Sequence, residues 1–482
     1  MKKLNELYNC EYDIEIKGIK INSKEIEKGD LFICTMGVTA DRHDFIDSAI
    51  ENGAAAIVVS KDVGEKSVPI IKVEDTNKEL PELCRRFYDF PHEKLHMISV
   101  GGTDGKTSTA TIIQALLTKD KCGYIGTNGR SCAKFDRDTN NTTPDSDKLY
   151  MYLDEFIDAG CTYVAMETSS EAYFRHRLDG ITYQTGVITN ITSEHLNIHG
   201  TFENYLDCKC EQFRHLDENG YAIFNIDDSH YEEVKACSNA KNILTYGQNK
   251  EADLYIKNFS VTPNKTDITL VYKEKEYNIE SPLLGDFNVY NLAGAILTVL
   301  STGKTMEEII PNIKNVKISG RLDVLPNIGQ DFTVMVDYAH TPNGIKNLLN
   351  FVHTLDINRS IVVIGQAGER DYLKRPIVGK TVCDNASYAI FCYEDPRSED
   401  PKDIIDMMVK DIGDKSKYEI VIDRSEAIKK AIDIATTNDI VLVLGKGNET
   451  YEKLKNEVIY FNDEEEAMKH LEARMEREKV GV

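Results

Sequence analysis

The sequence predicts an α/β protein of three domains, on three observations: short apolar runs alternate with helical stretches in three separate series, a glycine-rich strand-to-helix turn opens the second series, and the third has the rhythm of a Rossmann-like sheet. A chain of 482 residues, 41% of them hydrophobic, also exceeds what one core usually holds. The expected boundaries are residues 1–94, 95–319 and 320–482.

In the first series, Leu31 to Cys34, Ala56 to Val59 and Ile70 to Val73 read as short strands, with a helix over Phe45 to Asn52. The second opens with an apolar strand, Met97 to Val100, that feeds the glycine-rich turn and a helix from about Thr107 to Leu117. Tyr163 to Met166, Gly186 to Thr189 and Ala222 to Asn225 are apolar and spaced for a mostly parallel sheet with crossover helices. Asp267 to Glu280 alternates like an edge hairpin, and Asn288 to Leu300 reads as a helix. After Gly320-Arg321 come strands at Thr333 to Val336, Ile361 to Ile364, Tyr388 to Cys392, Glu419 to Ile422 and Ile440 to Leu444. A charged terminal helix is expected over Asp463 to Glu478.

Bulk properties exclude several classes. Nowhere does an uncharged apolar run approach the roughly 20 residues that span a bilayer, so a cytoplasmic protein without a membrane partner is expected. The formal net charge of -23 has the wrong sign for attraction to nucleic acid or an anionic membrane. Phosphorylated small molecules remain compatible, because local lysines, backbone N–H groups and magnesium hold phosphate inside an acidic protein. Eleven scattered cysteines, with no C-x-x-C pair, suit reduced thiols. Cys208 and Cys210, the one close pair, lack the partners that a metal site needs.

The strongest local signal is Gly101-Gly102-Thr103-Asp104-Gly105-Lys106-Thr107-Ser108 between a strand and a helix. Glycines let the backbone approach phosphate oxygens, the helix presents free N–H groups, Lys106 supplies a charge, and the Thr107 hydroxyl can hold magnesium. That is an ATP phosphate cradle; the plainer alternative is a tight turn carrying a surface lysine.

The spacing departs from the common P-loop, since Val100 stands where its first glycine belongs, and resembles instead the G-T-N-G-K-T loop of the Mur ligase family, with Asp104 replacing asparagine. Asn22-Ser23-Lys24, Lys28 to Phe32 and His43 to Ile46 resemble the uridine-nucleotide domain of the family's UDP-N-acetylmuramoyl-tripeptide synthetases, with Lys24 in place of an arginine. Asn141 to Pro144 is similar to their N-T-T-P, and Met166 to Ser170 to their M-E-x-S-S. The resemblance implies that Ser23, Thr142, Thr143, Ser169 and Arg177 bind the UDP-muramoyl peptide and that Glu167 binds magnesium.

Thr189 to Gly200, then Glu203-Asn204-Tyr205 and Lys209, follow the family segment that ends in a carbamylated lysine. Carbamylation turns a cation into an oxygen ligand suited to magnesium, and the same resemblance implies that His195 is a ligand of a second magnesium. On their own residues, His195 is more often a hydrogen-bonded structural histidine and Lys209 more often a solvated helix lysine. Leu284 to Asn291 resembles G-x-F-N-x-x-N, implying adenine contacts for Asn288 and Asn291; a helix N-cap is the other reading of Asn288. Gly320-Arg321 and Val336 to Pro342 match the family's G-R hinge and D-Y-A-H-T-P. Arg321 is then implied at the phosphates, and Asp337 and His340 at the ribose. The ATP set is thus Gly102, Thr103, Asp104, Gly105, Lys106, Thr107, Ser108, Asn288, Asn291, Arg321, Asp337 and His340, with Lys106, Lys209 and Arg321 catalytic and Thr107, Glu167, His195 and Lys209 on the metal.

In the last domain, Gly368 to Asp371, Lys374-Arg375-Pro376, Glu394 to Arg397 and Gly445 to Glu449 resemble G-D-R-D, K-R-P, D-N-P-R and G-K-G-H-E. They imply an amino-acid site of Arg370, Glu394, Asp395, Arg397, Gly445 and Glu449. A guanidinium grips a distal carboxylate through two parallel hydrogen bonds and repels a terminal ammonium, so Arg397 favours meso-diaminopimelate over lysine. A plainer reading pairs Arg397 with Glu399 or Asp400. Glu394, Asp395 and Asn448 depart from the family pattern.

The expected reaction is an ATP-dependent amide synthesis through an acyl phosphate, between the D-Glu carboxylate of UDP-N-acetylmuramoyl-L-Ala-D-Glu and the amino acid, by a monomer. The alternatives are a lysine-adding or folylpolyglutamate-type ligase and a catalytically silent Mur-like nucleotide-binding protein.

Overall fold

The computed structural model describes residues 1–37, 40–139, 141–262 and 265–480. Three parallel-rich sheets follow one another along the chain. The first has four strands, all parallel, in the order Ile19–Lys20, Leu31–Ile33, Ala56–Val59 and Ile70–Lys72. Helix Thr76–Phe87, capped by Asp75, leads from it toward the central sheet.

The central sheet has eleven strands. Its parallel middle runs Cys122–Gly126, Tyr163–Glu167, His96–Gly101, Tyr183–Ile188, Leu216–Asn225, Asn242–Gly247 and Leu254–Val261. The strands at its heart are buried on both faces, which suits β-branched residues and explains their near-continuous apolar sequences. Gly129–Cys132 and Phe135–Arg137 form an antiparallel extension at one edge, and Thr266–Tyr272 and Lys275–Ser281 at the other. The expected edge hairpin is therefore present, with Leu254–Val261 as a further partner.

The C-terminal sheet runs Asp323–Val324, Thr333–Asp337, Ile440–Leu444, Ser360–Ile364, Tyr388–Phe391 and Tyr418–Ile420, parallel except at its first edge. The strand latest in sequence, Ile440–Leu444, inserts between the second and third of these to be made. The chain thus reverses direction across the sheet there, leaving a crevice at the strand ends where ligands sit in open α/β sheets. Helices Arg424–Ile434 and Asp463–Val480 are joined by a fully buried ion pair, Arg424 to Asp463 at 2.6 Å.

Several element ends differ from expectation by one or more residues, among them Glu419 to Ile422, which is Tyr418–Ile420, and two further differences bear on the site. The strand expected over Gly186 to Thr189 is Tyr183–Ile188. Thr189 leaves it because its hydroxyl turns to the Asp104 carbonyl, 2.5 Å away. Asn288 is not an N-cap: helix Asp286–Ser301 starts at Gly285, and Asn288 lies one turn inside, donating to Leu284 O at 2.8 Å. No helix among the described residues is long and apolar enough to cross a membrane.

Candidate active site between the central and C-terminal sheets

Strand His96–Gly101 delivers the chain into a loop that ends at helix Lys106–Leu117. Gly102 takes φ +133°, and a Cβ there would stand 1.9 Å from Thr189 Oγ1; Gly105 takes φ +82°, and a Cβ would meet Asn291 Oδ1 at 2.4 Å. Both glycines are thus required by the backbone path and by close neighbours. Thr103 and Asp104 are pinned to the next strand end, Thr103 N to Asn190 O at 2.8 Å and Asp104 N to Asn190 Oδ1 at 3.0 Å. Ser108 is buried in the first helical turn.

Lys106 Nζ donates to Gly102 O and Thr103 O at 3.0 and 2.8 Å. Lys209, on helix Phe202–Arg214, reaches the same Gly102 carbonyl at 2.7 Å. Burial and then the Lys106 charge hold the Lys209 amine well below the usual lysine range. Burial also lowers Lys106, opposed by Glu167 and Asp104, while the Arg321 charge adds to the lowering. Lys106, Lys209 and Arg321 therefore converge on one region instead of facing separate surfaces.

Glu167, fully buried at the end of its strand, accepts from Thr107 Oγ1 at 3.0 Å and from Tyr124 Oη at 2.6 Å. The Thr127 N–H adds a third bond at 2.9 Å. His195 sits in a left-handed conformation at φ 57°, and burial followed by the charges of Lys374, Lys106 and Lys209 keeps its imidazole neutral. A neutral imidazole, a carboxylate, a hydroxyl and an uncharged amine able to take up carbon dioxide fit magnesium chemically, since hard oxygens dominate the set. Cys208 and Cys210 merely flank Lys209, and among the described residues no group of three or more His, Cys, Asp or Glu side chains is arranged to hold a metal by itself.

The network continues away from the loop. Thr143 Oγ1 donates to Glu167 O at 2.9 Å and accepts from Ser169 N at 3.0 Å. Arg177 donates to Thr143 O at 3.2 Å and pairs with Asp145 at 2.6 Å, and Thr142 meets Thr127 at 3.0 Å. Thr107, Glu167, Thr143, Ser169 and Arg177 thus form one connected series. The Ser23 loop is tied nearby by the Glu25–Lys148 ion pair, with Ser23 itself buried.

On the far side, Asp337 ends its strand and accepts from Leu322 N and Ala339 N at 2.8 and 2.7 Å; burial raises its carboxyl. Arg321 lies over the Tyr338 ring at 4.4 Å, and His340 is fixed through Nδ1 to Tyr338 O at 2.9 Å. Asn291 donates to Asn288 Oδ1 at 3.0 Å, so the two asparagines line the same face next to Gly105. Gly320, φ +73°, abuts Asn448, which joins the G-R turn to the Gly445–Glu449 loop.

That loop carries the amino-acid candidates. Lys446, fully buried as a side chain, bridges Asp395 at 2.9 Å and Glu449 at 3.2 Å. Glu394 is buried beneath Gly445, and its Oε2 has no hydrogen-bond partner; burial pushes its carboxyl up to about 8. Arg397 is strained at φ 55° and leaves its Nε unpaired. Glu399, offered above as its partner, instead takes Arg375 at 2.8 and 2.9 Å. Arg370 is exposed, and both Arg370 and Arg397 depress the neighbouring Lys453, though burial is the larger cause.

Sequence reasoning missed Tyr124 and Thr127, which hold Glu167, and Glu452, which is buried with neither carboxyl oxygen bonded. It also missed the buried ion pair Glu194–Lys374, 2.9 Å, which joins the central and C-terminal sheets. None has a spacing signal; Glu194 and Lys374 lie in segments singled out beforehand, but nothing in those segments shows that they pair.

A phosphate loop on a mostly parallel sheet, facing a Rossmann-like sheet across a cation-lined cleft, defines a nucleotide-dependent enzyme of the ligase kind. The chain belongs to the Mur ligase family: residues 15–92 match its catalytic domain description, residues 100–299 the Mur ligase middle domain, and residues 320–447 the Mur ligase glutamate ligase domain. It is 36% identical to the UDP-N-acetylmuramoyl-L-alanyl-D-glutamate--2,6-diaminopimelate ligase of Bacillus cereus, over 99% of this chain and 100% of that one. A solved structure of a ligase of that name, 27% identical, superposes with a TM-score of 0.65 over 98% of this chain and 99% of the other. The MurF ligase from Thermotoga maritima in complex with ADP shares the fold, with a TM-score of 0.69 at 20% identity over 96% and 98% of the two chains. As a member of this family, the chain is an ATP-dependent, ADP-forming ligase.

Proposed function

We propose that this ligase joins meso-diaminopimelate to the D-Glu carboxylate of UDP-N-acetylmuramoyl-L-Ala-D-Glu in peptidoglycan synthesis, as a cytoplasmic monomer whose domains divide near residues 94 and 319. The observation that carries this reading is the continuous series from Thr107 through Glu167 and Thr143 to Arg177, which connects the ATP loop to the side chains assigned to the acceptor. Names carried by relatives at this level of identity support the substrate.

In this reading Gly102, Thr103 and Gly105 to Ser108 cradle the triphosphate, Asn288 and Asn291 face adenine, and Asp337 and His340 face the ribose. Lys106 and Arg321 offset the phosphate charge while a carboxylate oxygen of the acceptor attacks the γ-phosphorus and ADP leaves. The amine of the incoming amino acid then attacks the acyl carbon, and phosphate departs with that oxygen. Thr107, Glu167, His195 and carbamylated Lys209 would hold magnesium, which would supply charge stabilisation at the phosphoryl oxygens. Ser23, Thr142, Thr143, Ser169 and Arg177 hold the acceptor, with Ser23 toward the uridine end. Arg397 and Arg370 hold carboxylates of the amino acid, while Glu449, Asp395, Glu394 and Gly445 shape the ammonium side.

The test is an ADP-release assay with the UDP-muramoyl dipeptide and a panel of diaminopimelate, lysine and ornithine, with product masses recorded. Diaminopimelate is expected to be the preferred substrate. Preference for lysine or ornithine overturns the specificity and leaves the ligase class standing.

A further inference from the structure

Asp104 stands where the resembling loop carries asparagine, and its side chain makes no bond to Lys106 of its own loop. Its backbone is fully engaged: the N–H donates to Asn190, and the carbonyl accepts from Thr189 Oγ1 at 2.5 Å and Asn190 Nδ2 at 3.1 Å. With the backbone held, the carboxylate projects across to the C-terminal domain. Oδ1 accepts from Thr341 Oγ1 at 3.0 Å, and Oδ2 from Asn343 Nδ2 at 3.1 Å.

Thr341 is the N-cap of the twelve-residue helix Pro342–His353, and its hydroxyl oxygen also accepts from Gly344 N at 2.9 Å. A carboxylate there meets two donors and the positive end of a helix, a favourable place for an anion. Beside a triphosphate the same charge is repulsive, so an acid is a poor choice for a phosphate contact and a good one for a clasp. A second contact lies elsewhere in the same interface: Glu194 of the middle domain meets Lys374 of the C-terminal domain at 2.9 Å, both largely buried.

We infer that Asp104 is a positioning residue that docks the ATP loop onto the start of helix Pro342–His353 and sets the closed arrangement of the two domains before nucleotide arrives. The reaction requires groups from both domains in one cleft, Lys106 from one and Arg321 with the amino-acid site from the other. A pre-formed contact between the domains removes part of the ordering cost of closure. The kinetic consequence rests on the ligase reading above; the domain arrangement does not.

The experiment uses the full chain and four variants: Asp104→Ala, Asp104→Asn, Asn343→Ala and the double variant Asp104→Ala/Asn343→Ala. Small-angle scattering of the free protein, the ADP dissociation constant and the steady-state constants for ATP are measured on each. The clasp predicts a larger radius of gyration for Asp104→Ala and Asn343→Ala, with Asp104→Asn between them and the unchanged chain. It predicts kcat/KM falling by roughly tenfold in Asp104→Ala, the scale of a lost charge-assisted contact, with the double variant no worse. ADP binding is predicted to hold or tighten, since a negative charge has left the loop. Weaker ADP binding in Asp104→Ala, with unchanged scattering and a normal Asn343→Ala, overturns the inference and makes Asp104 a nucleotide contact. Should Asp104→Ala not fold, Asn343→Ala decides through its own scattering and kinetics. If the unchanged chain shows no ligation, the ligase reading fails while scattering and ADP binding still decide the clasp.

Discussion

Lys106 and Lys209 donate to one and the same oxygen, the Gly102 carbonyl, at 3.0 and 2.7 Å. Two buried ammonium groups cannot share one neutral acceptor without strong repulsion, and Lys209 is the one driven well below the usual lysine range, by burial first and the Lys106 charge second. An uncharged amine is the form that takes up carbon dioxide, which is why the proposed carbamylation is assigned to Lys209.

Replacing Lys209 with alanine is expected to lower ligation by at least about a hundredfold, because the loss of a metal-bridging oxygen removes several kcal/mol of charge stabilisation. Short carboxylic acids should restore part of the rate by occupying the vacated place. Full activity in the unsupplemented variant contradicts the assigned role.

Arg397 leaves its Nε unpaired in a strained backbone, and its candidate internal partner Glu399 is taken by Arg375. Replacing Arg397 with alanine should cut kcat/KM for diaminopimelate by about 10- to 100-fold, the worth of a bidentate grip on a carboxylate, with little change in the ATP constants. An equal loss for ATP contradicts a contact specific to the amino acid.

These outcomes depend on how much of the site the chain announces in its own order. The ATP loop was legible because its function is local: an apolar strand, glycines and a lysine at the helix start lie within Met97 to Thr107. Asn288 and Asn291 were legible only through the resemblance of Leu284 to Asn291 to G-x-F-N-x-x-N, and the structure joins them directly. The edge hairpin was visible through its alternation, whereas the Gly129–Cys132 and Phe135–Arg137 strands were not, since their residues lack a run of apolar positions. Nothing in the spacing of Asp104 and Asn343, or of Glu194 and Lys374, reveals that they touch, because those contacts exist only once separate sheets are docked.

Glu394 gives a pH dependence of stability. Burial raises its carboxyl from 4.5 to about 8, so the folded chain holds a proton there that the unfolded chain releases above 4.5. Its contribution is therefore fully present below about pH 4.5 and is lost progressively as pH rises toward 8, at up to about 1.4 kcal/mol per pH unit. Glu394→Gln should flatten the melting temperature across that window relative to the unchanged chain. Parallel profiles for the two proteins contradict a buried, protonated Glu394.

The ion pair Arg424–Asp463 predicts an asymmetry. Arg424 donates to both Asp463 oxygens, at 2.8 and 2.6 Å, and to Leu444 O at 2.9 Å. Removing either partner leaves an uncompensated buried charge, a loss of about 3–5 kcal/mol. Arg424→Met should be the worse of the two, since it leaves the buried Leu444 carbonyl without this donor as well as stranding Asp463; thermal unfolding of Arg424→Met beside Asp463→Asn checks the order.

The central claim is that ATP activates the acceptor's carboxylate before the amine attacks. Oxygen-18 placed in the D-Glu carboxylate of the UDP-muramoyl dipeptide tests it most directly, by mass spectrometry of the phosphate released during ligation. The account predicts one labelled oxygen transferred to each phosphate formed; unlabelled phosphate accompanying a full yield of amide product contradicts it.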